Sequence, residues 1–280
     1  MSETIAIEIA EAPDFIGTLD AISAALHIND LRSLEDVPPP GTPWPSGIWH
    51  LFRHDVSTRT TEITCGGGEF AIRIFSMASR EDVALAVALA EYVALHAGVA
   101  EVSSEQRGTM PPSELAGYYT ADWADGQIES GHHAVSALVR DGKGPMEIPG
   151  PNRSFFVGPR VLLQLGPVAP EQKLLEAIRR VQWIPIRTAG RFTAHAKTDN
   201  REIRLAMWLG DEVVFPGVEF AGVSDPNAEK REVFLIPSSR IAELAGERWT
   251  PIDEKQGILA DFGDDWPAVV AAARKFEVTP

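Results

Sequence analysis

The sequence predicts an α+β fold with mixed or mainly antiparallel sheets, packed helices and two subdomains. Three observations carry this expectation. Segments that alternate apolar and polar residues, the pattern of half-buried strands, occur in both halves of the chain. They come in runs followed by helices, not in regular strand–helix alternation, which disfavours a doubly wound parallel sheet. The composition, 44% hydrophobic and 23% charged over 280 residues, is that of a globular chain able to bury a core in one large domain or two of ordinary size.

The elements follow in order. Thr4 to Ile9 places Ile5, Ile7 and Ile9 on one face at period two and reads as a strand, and Thr18 to Leu31 reads as a helix. The proline cluster from Pro38 to Pro45 lacks amide donors and fixes φ, so it reads as a stiff, extended connector. Ile48 to His54 and Glu69 to Phe75 alternate as strands, with Gly66-Gly67-Gly68 supplying a turn between them. The clearest helix comes next. Ser79 can cap the amides near Asp82, Glu81 and Asp82 suit the positive end of the dipole, and Gly98 can close the helix after His96. Its apolar residues, Val83, Leu85, Val87, Leu89, Val93 and Leu95, cover most of the circumference, so it should lie buried against a sheet.

Residues 98 to 131 read as an irregular polar connection with one short helix, and Ala134 to Val139 as a strand. The stretch Pro145 to Pro170 holds six of the 21 prolines and sets the subdomain boundary near its start, giving 1–145 and a β-rich 146–280, with a single domain as the alternative. Pro170 to Gln182 reads as a helix with Leu174, Leu175, Ile178 and Val181 inward. Strands are expected at Trp183–Arg187, Phe192–Ala196, Ile203–Leu209, Glu212–Phe220 and Glu232–Ile236, with Gly210-Asp211 forming a tight hairpin between two of them. Helices at Ser238–Ala245 and Asp265–Phe276 complete the chain.

Charge is distributed unevenly. The chain carries 25 Lys/Arg against 40 Asp/Glu, a net charge of −15, yet residues 151–200 hold eight cations against three acids. Residues 1–36 hold eight carboxylates and only Arg32, an internal counter-charge for that basic stretch. The acidic whole disfavours nucleic-acid binding and favours a basic protein partner. No apolar run is long enough to span a membrane, the first residues lack a secretory pattern, and the single Cys65 cannot form an internal disulfide. A soluble, cytoplasmic protein without membrane contact is therefore expected; the sequence leaves its oligomeric state open.

Short motifs weigh against catalysis. Asp261-Phe262-Gly263 and Ala169-Pro170-Glu171 match two protein-kinase triplets, but in reversed order and without the glycine-rich loop or catalytic His-Arg-Asp. His50 and His54, with Asp55, have a metal-like spacing, but on a strand four residues span about 13 Å, so a structural role is expected. Asp122, Asp125, Glu129, His132 and His133 lie close in sequence, yet Gly126 and Gly131 read as turns and the calcium-loop spacing is absent. Cys65 has no partner readable in sequence and is expected to be a small buried hydrophobe. No nucleophile elbow, zinc helix, phosphate loop or dinucleotide fingerprint is present. The sequence thus implies no cofactor, no metal and no catalytic residue, and leans away from an enzyme.

Two sets of residues remain as candidate contacts. Gly150-Pro151-Asn152-Arg153 and Gly158-Pro159-Arg160 flank a short apolar strand and could present Arg153 and Arg160, with Arg187, as forks for a carboxylate or phosphate. Pairing of these arginines, and of Arg191 and Lys197, with the chain's own groups is the competing expectation. Tyr118, Tyr119 and Trp123 could serve as exposed loop anchors for a partner. The leading expectation is an acidic binding protein acting on a protein partner, as an inhibitor or an antitoxin-like immunity protein does. The alternatives are an enzyme or binder for a small anionic substrate using the arginine cluster, and a structural or assembly protein.

Overall fold

A computed structural model describes residues 2–225 and 232–280. The fold is α+β, built from several mainly antiparallel sheets with packed helices. The chain divides into two compact units, 1–155 with 162–183 and 156–161 with 184–280, so each unit draws on two stretches of chain. Among the described residues no helix is long and apolar enough to cross a membrane.

Unit 1 begins with β1 (Glu3–Glu8), α1 (Phe15–Leu26), β2 (Leu31–Ser33), β3 (Gly47–Arg53), β4 (Thr61–Gly66), β5 (Glu69–Ile74) and α2 (Arg80–Ala97). Then come β6 (Val102–Ser104), β7 (Gly108–Met110), the single turn α3 (Leu115–Tyr118), the long α4 (Ala121–Arg140) and β8 (Met146–Ile148). Strands β1 to β7 form one sheet in the order β2-β3-β4-β5-β1-β6-β7, with every neighbouring pair antiparallel. Period-two burial places Ile5, Ile7, Leu51, Ile63, Phe70 and Ile72 on the core side, where Phe15 and Ile22 of α1 and Leu85, Leu89 and Val93 of α2 meet them. Trp44, set between Pro43 and Pro45, fills the centre with Phe15 and Phe70 at ring separations of 4.5 and 5.1 Å. The proline cluster therefore delivers an aromatic into the core as well as spanning a gap.

The helix signals at Ser79 and Gly98 act as expected. Ser79 Oγ accepts from the Asp82 amide at 3.2 Å, Asp82 Oδ2 accepts from the Ser79 amide at 2.9 Å, and Gly98 closes the helix at φ +66°. Asp82 does more than cap. Its Oδ2 also accepts from the amide and hydroxyl of Thr58 and the amide of Arg59 at 3.0–3.2 Å, tying the loop before β4 to the start of α2. The helix expected at Thr18–Leu31 begins earlier, where Asp14 Oδ1 accepts from the Gly17 amide, and ends at left-handed His27, which frees Leu31 for β2.

The structure corrects the reading of residues 121–140. The irregular connection expected over 98–131 contains β6, β7 and α3, and its last part, from Ala121, runs with the expected strand Ala134–Val139 into one helix, α4, capped by Thr120 and burying Ala124, Ile128, Gly131, His132, Ser136 and Val139 along one face. Small and polar residues at the 3–4 spacing hid that face. Gly131 serves close approach here, not a turn: a Cβ at this position would lie 2.7 Å from Met77 Sδ.

Between the units the chain runs through β9 (Phe155–Val157) and α5 (Pro159–Leu165), and α6 (Pro170–Gln182) then buries Leu174, Leu175, Ile178 and Val181 in unit 1. Unit 2 adds β10 (Arg191–His195), β11 (Glu202–Trp208), β12 (Val213–Phe215), β13 (Phe220–Asp225), β14 (Glu232–Pro237), α7 (Ile241–Ala245), β15 (Trp249–Pro251), β16 (Gly257–Leu259) and α8 (Trp266–Ala273). A four-stranded sheet runs β10-β11-β13-β14, with β11 and β13 parallel, and a three-stranded sheet runs β12-β16-β15. Their shared core holds Trp208, Phe215, Val223, Ile236, Leu259, Phe262 and Trp266.

Two further expectations fail in unit 2. Gly210-Asp211 does not close a hairpin, because β11 belongs to the four-stranded sheet and β12 to the three-stranded one. All three β12 residues are buried, so the alternation that would pair them with β11 is missing. The expected strand Glu212–Phe220 is accordingly split between β12 and β13. Trp183–Arg187 forms no strand; Pro185 lacks a ladder donor, and the only bridge nearby joins Thr188 to Val214.

Two outcomes test this account of unit 1. Asp82→Ala should lower stability in urea by about 3 kcal/mol, since it strands several buried donors; a loss below about 1 kcal/mol would remove Asp82 from this role. Glu35 adds a pH-dependent effect. Burial pushes its carboxyl up, but hydrogen bonds from the His50 side chain and amide and from Ser33 outweigh this and hold it below the ordinary 4.5. A depressed carboxylate contributes stability above the unfolded pKa and loses it as pH falls through the lower folded value. Unfolding of Glu35→Gln followed below pH 4.5 should therefore show a shallower acid-side decline than the parent.

Candidate functional site

Unit 2 contains a cleft of about 390 Å³ assembled from five stretches of chain. Its first wall is a turn organised by Asp253, which is 1% exposed. Asp253 Oδ1 accepts from the amides of Lys255 and Gln256 at 2.9 and 2.8 Å, and Oδ2 accepts from the Phe156 amide at 3.0 Å and Gln256 Nε2 at 2.6 Å. Burial pushes this carboxyl above its ordinary value, against the pull of those four donors. The neighbouring Glu254 continues the seam: its amide donates to the Phe156 carbonyl at 3.2 Å and its Oε2 accepts from the Val161 amide at 3.3 Å. Segment 156–161 is thereby fixed along the turn, which sets Arg160 at the rim, while Lys255 rests with Nζ 5.1 Å from the Phe156 ring.

The second wall comes from β11 and the approach to β13. The Glu219 amide donates to the Arg204 carbonyl at 3.0 Å, and Glu219 is ion-paired with Arg201 at 2.6 Å, an interaction that lowers the Glu219 pKa. Ser238, Ser239 and Ala242 form the third side, with Ser238 Oγ donating to the Val218 carbonyl. Phe215 and Trp249 supply apolar lining. The Trp249 indole lies across Gly257, where a Cβ would come within 2.3 Å of the ring, so only glycine accepts this packing.

The charges of the cleft are asymmetric in their engagement. Asp253, Glu254 and Glu219 each hold donors of the protein itself. Arg160, Arg204 and Lys255, in contrast, form no ion pair among the described residues. Arg204 lies close enough to help depress Glu219 without bonding to its carboxylate through the guanidinium. Three cations without a carboxylate partner around one concavity can take an anion with charge-assisted hydrogen bonds.

Of the arginines singled out from the sequence, only Arg160 lines this cleft. Arg153 belongs to unit 1, is 8% exposed, and donates from Nη1 to the carbonyls of Val181 and Gln182 at 3.0 and 3.1 Å, closing the C-terminal end of α6. Arg187 is ion-paired with Asp211. The aromatic trio also sits differently from the exposed-loop expectation. Tyr119 is 5% exposed, its hydroxyl lies 2.8 Å from both Glu3 Oε1 and Ser104 Oγ, and Tyr118 and Trp123 pack edge-on against its ring.

The histidine and cysteine candidates are built into unit 1. His50 bonds Glu35 at 2.7 Å and lies 3.6 Å from Glu62, and His54 packs on Trp183. His132 is buried in α4 with Nε2 3.2 Å from Ser136 Oγ. Cys65 is buried, and desolvation raises its thiol pKa. Among the described residues no three His, Cys, Asp or Glu side chains gather as a metal ion requires. Sequence reading missed Arg204, Trp249 and Lys255; the one local signal was the turn-forming run from Asp253 to Gly257. No protein-family model, curated protein or solved structure matches this chain.

The Trp249–Gly257 contact is testable directly. Gly257→Ala should displace the indole and lower the stability of unit 2 by about 1–3 kcal/mol, as overpacking of a filled site does. An unchanged near-ultraviolet circular dichroism spectrum together with an unchanged thermal midpoint would contradict it.

Proposed function

We propose that unit 2 is a binding module for a small anionic ligand. The observation that supports this reading is the group of cations, Arg160, Arg204 and Lys255, that line one cleft without an ion pair among the described residues, in a chain of net charge −15. Three cations around one concavity supply charge-assisted donors for an anion. The reading is one of binding: the Ser238 hydroxyl is engaged by a carbonyl, and among the described lining residues there is no histidine. In a thermal-shift screen of small organic anions at low salt, at least one should raise the midpoint of the parent and leave R160Q/R204Q/K255Q unmoved. Equal shifts in both proteins, or none in either, would end this reading.

A second reading, an acidic protein that captures a basic protein partner as an inhibitor or immunity protein does, draws support from unit 1. Leu34, Val37 and Ile48 are 49%, 53% and 57% exposed along the β2–β3 border of the seven-stranded sheet, beside exposed Asp36. Apolar side chains with a carboxylate beside them suit a partner that presents both apolar and basic groups. A stoichiometric complex recovered at low ionic strength should dissociate with added salt and fail to form with L34S/V37S/I48S. Retention by that variant would count against this surface.

A further inference from the structure

We propose that the ligand of the unit 2 cleft is a small phosphomonoester attached to a planar ring; the inference rests on the anion-binding reading and narrows it. Charge supports the phosphate. Arg160 and Arg204 are planar donor forks, Lys255 is a point charge, and Ser239 adds an exposed hydroxyl. Three cations exceed what one carboxylate neutralises, whereas a phosphomonoester carries close to two negative charges and three peripheral oxygens at neutral pH. The lining acids are already engaged within the protein: Asp253, Glu254 and Glu219 hold the Phe156 amide, the Val161 amide and Arg201.

The ring follows from Trp249. Its indole is pinned across Gly257 and lines the same cleft as the cations, with Val218 and Ala242, so the cleft offers a flat apolar group an aromatic side chain to pack on. A volume of about 390 Å³ has room for a single ring with its phosphate. The ligand bridges two kinds of wall: its phosphate engages the cations, and its ring lies on the indole.

The test is calorimetric titration of the full chain with phenyl phosphate, inorganic phosphate and benzoate. Phenyl phosphate should bind at least tenfold more tightly than either of the others. Its affinity should rise as pH passes about 6, where the phosphate gains its second charge. The charged side chains facing the cleft are Arg160, Arg204, Lys255, Glu219, Asp253 and Glu254, and benzoate, whose own charge is constant across that range, reports any change in the protein's own groups.

R204Q should weaken phenyl phosphate and inorganic phosphate alike by about 10- to 100-fold. W249A should remove only the advantage of phenyl phosphate over inorganic phosphate, and W249F should restore most of it. Unliganded thermal midpoints confirm that each variant folds. Benzoate binding as tightly as phenyl phosphate would overturn the phosphate assignment and leave the anion-binding reading standing. Equal affinities for phenyl and inorganic phosphate would overturn the ring. Failure of all three probes, with no other anion binding, would remove both readings.

Discussion

Two buried aspartates satisfy backbone donors that no sheet or helix can reach. In unit 2, Asp253 takes the amides of Phe156, Lys255 and Gln256, and so fixes segment 156–161 to a turn nearly one hundred residues later. In unit 1, Asp82 does the same for residues 58, 59 and 79. Irregular backbone that is buried must find acceptors, and a carboxylate with several lone pairs is the most economical one. The cleft exists because Asp253 holds two of its contributing segments together.

That arrangement separates two uses of charge. Carboxylates near the cleft are consumed in construction, each committed to an amide, a side-chain amide or an arginine of the chain. The cations opposite them are left over. The basic stretch noticed in the sequence dissolves along similar lines: Arg153 closes a helix end, Arg179 pairs with Glu81, Arg187 pairs with Asp211, and Arg160 alone reaches the cleft. Local charge density along the chain therefore located one member of the site, while the other two cations lie outside that stretch.

Glycine placement explains why large aromatics can occupy fixed positions. Gly257 admits the Trp249 ring and Gly210, at φ +89°, admits Trp266, which completes the cluster with Trp208 and Phe262. Gly210 reads in sequence as a turn former, yet at both positions the decisive property is the missing Cβ. The same ambiguity concealed α4, where Gly126 and Gly131 read as loop residues although Gly131 lets the helix meet Met77.

The sequence by itself determined the elements whose signals are local. Period-two isoleucines made β1, the Ser79 and Gly98 caps bounded α2, and the inward leucines of residues 170–182 made α6. These follow from backbone geometry and burial within a few residues. Tertiary structure alone decided which strands share a sheet, that Gly210-Asp211 passes the chain from one sheet to the other, and that residues 156–161 belong with unit 2. It also decided the site, because Arg160, Arg204, Trp249 and Lys255 converge through contacts between segments dozens of residues apart, and no local spacing encodes such a meeting.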